Sequence, residues 1–173
     1  MKYICSDTNI WLDFDAINKL NTPFLLPEKF IMYEESIHEE LLYPEYLAEQ
    51  LLAKGLLPTN ITTDEFFFAE KVVKAQPKLT RHDAIALAIA KERKICLVTG
   101  DRRLRAEAER HGVSCMGTIG ILDRLAKLKL ITLQEQHACW LSLRAENGRV
   151  IRLPKHELNT RIAKLETILA SAY

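Results

Sequence analysis

Along the first 130 residues, short apolar runs alternate with stretches whose apolar positions recur every three or four residues. Tyr3, Ile4 and Cys5 form the first run and predict a buried strand ending at Asp7. Ile10, Phe14 and Ile17 stand at helical spacing, so a helix is expected over 9–20, followed by a loop with Pro23 and Pro27. Residues 29–33 predict a second strand. A helix follows from about Glu35, ended or kinked by Pro44, and Leu47, Leu51 and Leu52 continue it to Gly55 and Pro58. Residues 62–65 read as a capping sequence before a helix that carries Phe66, Phe67, Phe68, Val72 and Val73 and closes at Pro77. Thr80-Arg81-His82-Asp83 opens the next helix. Its body, 84–90, is small and apolar on every side and is expected deep in the core. Ile95-Cys96-Leu97-Val98 is the clearest strand. A charged helix over 101–111 follows, stopped by Gly112, then a strand at 113–116 and a Gly117–Gly120 turn into a helix over 121–128.

Strands alternating with helices predict a parallel sheet covered on both faces. Beyond 131 the pattern changes. A helix is expected from Thr132 to about Asn147-Gly148, then an extended stretch at 150–153, Pro154, and a last helix with Ile162, Leu165 and Leu169. That tail is expected to pack on the core or to bind a partner.

Composition narrows the class. A chain of 173 residues, 48% hydrophobic and 27% charged, with six Gly and six Pro, is neither disordered nor collagen-like. No apolar run approaches the roughly 18 residues of a membrane span, and Asp7 falls where a signal peptide needs apolar residues, so a cytosolic protein is expected. The four cysteines are dispersed, with no paired or His-flanked spacing, which argues against zinc. Cys5, Cys96 and Cys115 read as buried thiols. The net charge of +1 hides a division. Residues 1–77 hold six Lys and no Arg against 13 Asp and Glu, a net of −7, whereas 78–173 carry a net of +8. An acidic half joined to a basic half fits a metal-holding cleft beside an anion-binding surface. Two unrelated solvated faces fit the same count.

The acids carry the candidate chemistry. In open parallel sheets, ligands bind beyond the carboxyl ends of the strands. Asp7 and Asp101 each follow a strand, and if the two strands are neighbours their carboxylates meet at one edge. Each is also a natural helix N-cap. Asp83 takes the reciprocal place of a capping box, yet it stands at the mouth of a buried helix, where a carboxylate needs a partner or a metal. At about 100° per residue, Glu40 lies about 60° from Ile37 on the core side and Glu39 about 160° away, so Glu40 is the fourth candidate.

Taken in order, these residues resemble the motifs of PIN-domain nucleases. Asp7-Thr8-Asn9-Ile10 is similar to the opening motif, Glu40-Leu41 in SIHEELL to the second, Asp83 in LTRHDAIALAIA to the third, and Asp101 in ICLVTGDRRLRAEAERHGV to the fourth. GTIGILDRLAKLKLI, residues 117–131, resembles the end of one bacterial and archaeal, toxin-like branch. The resemblance covers about residues 1–131. It implies a PIN-like three-layer α/β/α domain with a central parallel sheet over 1–131, and leaves 132–173 as a mainly helical extension. It implies one catalytic cluster of Asp7, Glu40, Asp83 and Asp101 holding Mg²⁺ or Mn²⁺. Four carboxylates that close repel by several kcal/mol per pair, and hard cations with oxygen ligands relieve this.

The function so implied is a metal-dependent endoribonuclease, with the toxin of a toxin–antitoxin pair as the common role of small stand-alone members. RNA, a small antitoxin and a second copy of the chain are the implied partners. Asn9, Thr99, Arg102, Arg103 and Arg105 are the candidate substrate contacts, with Thr8, Asn9 and Thr99 also placed to orient the carboxylates. The same three fit plain capping and turn bonding, and the arginines, together with Arg110, fit a solvated face paired with Glu107 and Glu109. His82, Phe66–Phe68 and Trp140 read as structural. The alternative function is a catalytically silent PIN-like scaffold that binds RNA or protein. A phosphate-relay receiver is disfavoured, because the paired acids near the first strand and the lysine on a late strand are missing.

Overall fold

Four apolar runs and one further short segment form five parallel strands: β1 (Tyr3–Ser6), β2 (Lys29–Tyr33), β3 (Leu57–Thr59), β4 (Cys96–Val98) and β5 (Cys115–Met116). In the computed structural model, which describes residues 2–171, they form one sheet in the order β3-β2-β1-β4-β5. The chain runs outward from β1 to β3, then returns to the other side of β1 for β4 and β5. The order therefore reverses at β1, and the crevice at such a switch point is where open α/β sheets bind ligands. Register pairs Ser6 with Val98 and Ile4 with Phe30. Asp7 thus emerges directly beside Thr99, its N–H donating to Val98 O at 2.9 Å.

Alternation along the strands sorts side chains to two cores. Ile4, Phe30, Met32 and Val98 face one layer, with α1 (Thr8–Ala16), α7 (Thr118–Lys127), α8 (Leu133–Glu146) and α9 (Lys155–Ser171), together with residues of α2 (Glu34–Glu40) and α3 (Leu47–Lys54). Cys5, Ile31, Tyr33 and Leu97 face the other, with α4 (Thr63–Ala75), α5 (Arg81–Glu92) and α6 (Arg102–Arg110). Residues 84–90 of α5 are all buried, as their composition predicted. Trp11 stacks on Phe24 and meets Phe30 edge-on, with ring centroids 5.1 and 5.0 Å away, which anchors α1 directly behind Asp7. Cys139, Trp140, Leu143, Leu158, Ile162 and Leu165 of α8 and α9 share the core of α1 and α7. Among the described residues, no helix is long and apolar enough to cross a membrane.

Several local expectations change. The first helix stops at Ala16, and Asn18 takes the left-handed conformation at φ 55°. β3 replaces an expected loop. It is an edge strand, where Pro58 removes no needed ladder donor. Arg93 fastens its end, donating to Thr59 Oγ1 and Asn60 O at 2.8 Å each and pairing with the buried Glu65 at 2.6 Å. α7 starts at Thr118 and takes Gly120 into its first turn, where a Cβ would lie 2.6 Å from Met116 Cγ. The extended stretch at 150–153 survives only as an isolated bridge between Asn147 and Ile151. Phe66 and Phe67 do not join the core. Consecutive helix positions are about 100° apart, and α4 turns Ala69 and Val72 inward, leaving Phe67 58% exposed. Trp140 is buried as expected.

Candidate active site

Asp7 is the best-held acid of the predicted set. It follows β1 as the N-cap of α1, only 8% exposed, and its Oδ1 accepts from Thr8 N at 2.7 Å. Its Oδ2 accepts from the Asn9 side-chain amide and the Thr99 hydroxyl, each at 2.7 Å. Asn9 is fixed in turn by Gly100 N, which donates to its Oδ1 at 2.7 Å. A Cβ on Gly100 would lie 3.2 Å from that oxygen, so the glycine leaves Asn9 its place. Thr99 Oγ1 also accepts from Asp101 N at 3.0 Å. Burial pushes the Asp7 carboxyl up to about 7, opposed by the Thr99 and Thr8 hydrogen bonds and reinforced by the charges of Asp83 and Glu40. Asp83 and Glu40 therefore lie within electrostatic reach of Asp7.

Glu40, half-buried at the end of α2, accepts from Thr8 Oγ1 at 2.7 Å, so Thr8 links it to Asp7. Glu39 faces solvent and bonds His82 Nε2 at 3.0 Å. His82 Nδ1 meets the buried Ser36 Oγ at 2.7 Å. His82 is thus a structural clamp between α2, which carries Glu40, and α5, which carries Asp83. Ser36 gave no signal in the sequence, because its partner lies 46 residues away.

Asp83 and Asp101 stand at the expected helix starts, but each turns a carboxylate oxygen to local N–H groups. Asp83 Oδ2 accepts from Thr80 N at 2.8 Å and completes a capping box. Asp101 Oδ1 accepts from Arg103 N and Leu104 N, both at 2.8 Å. Thr8 thus joins Glu40 to Asp7, Thr99 joins the Asp101 backbone to Asp7, and Asp83 reaches Asp7 through its charge alone. Among the described residues, no three of His, Cys, Asp and Glu stand close enough to hold one ion between them. The expectation of a single converged cluster is corrected to that extent, because the first-turn N–H groups of α5 and α6 compete for the same oxygens.

The donor chemistry still fits a hard divalent cation. Among the described residues, Oδ1 of Asp83, Oδ2 of Asp101 and Oε1 of Glu40 accept no protein hydrogen bond. Every donor at this edge is oxygen, and a cation beside Asp7 would relieve both its desolvation and the like charges around it.

The remaining candidates separate. Thr99 is 0% exposed, so its hydroxyl serves Asp7 rather than a bound strand. Arg102 and Arg105 line a cavity next to Asp101, and Arg103 lies outside it, exposed. Glu107 pairs with Arg110 and His111, not with these arginines. Elsewhere on α1, Asp13 accepts from Thr118 Oγ1 at 2.5 Å, and burial raises its carboxyl to about 6. The thiols of Cys5, Cys96 and Cys115 are free and are all shifted upward by burial, which keeps them protonated.

A family model described as a PIN domain matches residues 3–166. The searches of curated proteins and of solved structures returned no match.

Proposed function

The chain belongs to the PIN-domain family, whose members are generally nucleases that use divalent metal ions, and from that premise we propose that it is a Mg²⁺- or Mn²⁺-dependent endoribonuclease. The observation that carries this reading is Asp7: a buried carboxylate at the strand-order reversal, held by Thr99 and Asn9, with Glu40 and Asp83 close enough to raise it. Asp7, Glu40, Asp83 and Asp101 are the residues that would hold the ion. A bound divalent ion supplies charge neutralisation at the phosphodiester and an activated water.

The chain's own residues supply the positioning. Thr99 and Asn9 lock the rotamer of Asp7. Thr8 aligns Glu40 with it. Arg102 and Arg105 present fixed positive charge to the substrate phosphate beside Asp101. As partners we add a small antitoxin and a second copy of the chain, in keeping with a toxin role.

The test is cleavage of a mixed set of structured RNAs with Mn²⁺ or Mg²⁺, comparing the unaltered chain with Asp7→Asn and Asp101→Asn and with EDTA as control. Metal-dependent cleavage lost in both variants supports the reading. A folded chain that cuts none of the RNAs in either metal overturns it. One observation favours a second reading, the catalytically silent scaffold: no three acids stand close enough to share an ion among the described residues. If Asp7→Asn retains RNA or protein binding and every cellular effect of the unaltered chain, the scaffold reading replaces the nuclease.

A further inference from the structure

We propose that the loop and helix start at 147–161 form one wall of a groove that binds the phosphate backbone of single-stranded RNA and leads it to the acid site. The inference rests on the reading of RNA as substrate and adds the surface that holds it.

The groove is a cavity of about 890 Å³, of the size that holds a drug-sized ligand. Gly100 and Arg102, the chain neighbours of Asp101, are among its lining residues, which brings the cavity up to the fourth acid of the site. One wall is α6, with Arg102 and Arg105. The opposite wall is the C-terminal part, with Arg152 and Lys155. Cys115, Met116, Ile119 and Leu153 provide apolar floor between them, a surface suited to sugars and bases beneath a charged rim.

The cations are free to act. Among the described residues, Arg102, Arg152 and Lys155 have no ion-pair partner. Arg105 lies across the floor, donating to Thr99 O at 3.4 Å, and a Cβ on Gly117 would come within 3.0 Å of its Nη1. The fifth cation, Arg161, is engaged by Asp123 at 2.8 Å and by Glu157 at 3.0 Å. That pairing also removes one of the two acids lining the groove and leaves Glu109 against four cations.

The wall is built, not incidental. Asn147 clamps the loop from both sides: its Nδ2 donates to Leu153 O and its Oδ1 accepts from Leu153 N, each at 3.0 Å. Gly148, at φ 94°, makes the turn, and its N–H donates to Ile151 O at 2.8 Å. Ile151, 1% exposed, anchors the segment in the core. Arg152 and Lys155 are thereby held in the lining of the same cavity as Arg102 and Arg105 of α6. A strand of regularly spaced phosphates matches two opposed cationic rails. An acidic protein segment would not need the continuity with the acid edge that the groove shows.

The test is fluorescence anisotropy of a labelled single-stranded RNA of about 12 nucleotides, titrated with the full chain in EDTA over a series of salt concentrations. The chains compared are the unaltered protein, Arg152→Ala/Lys155→Ala and the charge-keeping Arg152→Lys/Lys155→Arg. Each lost phosphate contact lowers the slope of log affinity against log salt by about 0.7 and, measured from 1 M salt, the affinity at 0.1 M by about 5-fold. The double alanine variant is therefore expected to bind about 25-fold more weakly at 0.1 M salt, with a slope smaller by about 1.4, and the charge-keeping variant to restore both. Unchanged binding in the alanine variant, equal weakening in the charge-keeping one, or no RNA binding by the unaltered chain each overturns the inference. RNA cleavage is scored separately. Cleavage with an unchanged slope leaves the nuclease standing without the groove, and a lost slope without any cleavage leaves the groove standing without the nuclease.

Discussion

Two regions of one sheet edge hold charge in opposite ways. At the acid site, Asp7 is buried and its charge is met by Thr99, Asn9 and Thr8, yet burial still lifts it to about 7. In the adjoining groove, Arg152 and Lys155 stand exposed with no ion-pair partner among the described residues. A buried carboxylate keeps its charge only with help, so that region is built to welcome a cation at short range. Exposed guanidinium and ammonium groups attract an anion through solvent, where salt screens them. Under the proposed function, the first region would select by coordination and the second by field.

Four measurements break or sharpen that contrast, beginning with the largest effect. Asp7→Asn is expected to lower RNA cleavage by at least about 10²–10³-fold, while its residual activity keeps the salt dependence of the unaltered chain. A changed salt slope would mean that the two regions are one. Next, raising salt from about 50 to 200 mM is expected to lower kcat/KM of the unaltered chain by about 50-fold if Arg102, Arg105, Arg152 and Lys155 all meet phosphates of a single strand, with kcat at saturation little changed.

Thr99→Val, which removes the buried hydroxyl that donates to Asp7, is expected to cost about 10-fold or more in activity or metal affinity, and isothermal titration with Mn²⁺ reads it without substrate. An unchanged titration would make Thr99 a mere packing residue.

The smallest effect concerns Asp13. Its carboxyl is raised by burial from near 3.8 to about 6, against the Thr118 hydrogen bond. The folded protein therefore holds this proton more tightly than the unfolded chain. The stability the group contributes is complete below about pH 3.8 and is lost as pH rises through about 6. Asp13→Asn, which keeps a partner for Thr118, is expected to raise Tm by a few degrees above pH 6, at about 2–4 °C per kcal/mol for a chain of this size, and to change little at pH 4. A Tm lowered at pH 8 would show that the ionised form is the one the fold prefers.

The strands and the acids at their ends were legible for a simple reason. β1 and β4 are largely apolar runs, and a carboxylate follows each at the carboxyl edge of the sheet. The capping boxes at Thr62 and Thr80 were legible because both partners lie within four residues. Glu40 was separable from Glu39 by helical angle alone, and the structure turns Glu40 toward Thr8 and Glu39 toward solvent and His82.

Other features were hidden. β3 has only three residues and a proline, so no periodicity marks it, and Arg93 secures it from 34 positions away. The orientation of α4 depends on which side α5 offers it, and so the exposure of Phe66 and Phe67 does not follow from their spacing.

By itself, the sequence determined the alternation of strands and helices, the identity of the acids at strand ends and helix starts, and the split between an acidic first half and a basic second half. These are local or compositional properties, set by side-chain period, capping and charge count. Only the tertiary structure decided that β1 and β4 lie side by side, that Asp83 and Asp101 spend an oxygen each on their own helices, and that the Asn147 clamp and Ile151 carry Arg152 and Lys155 across from Arg102. The physical reason is that these juxtapositions arise from strand pairing and core burial between residues tens of positions apart, and those forces act on the folded surface rather than on the order of the residues.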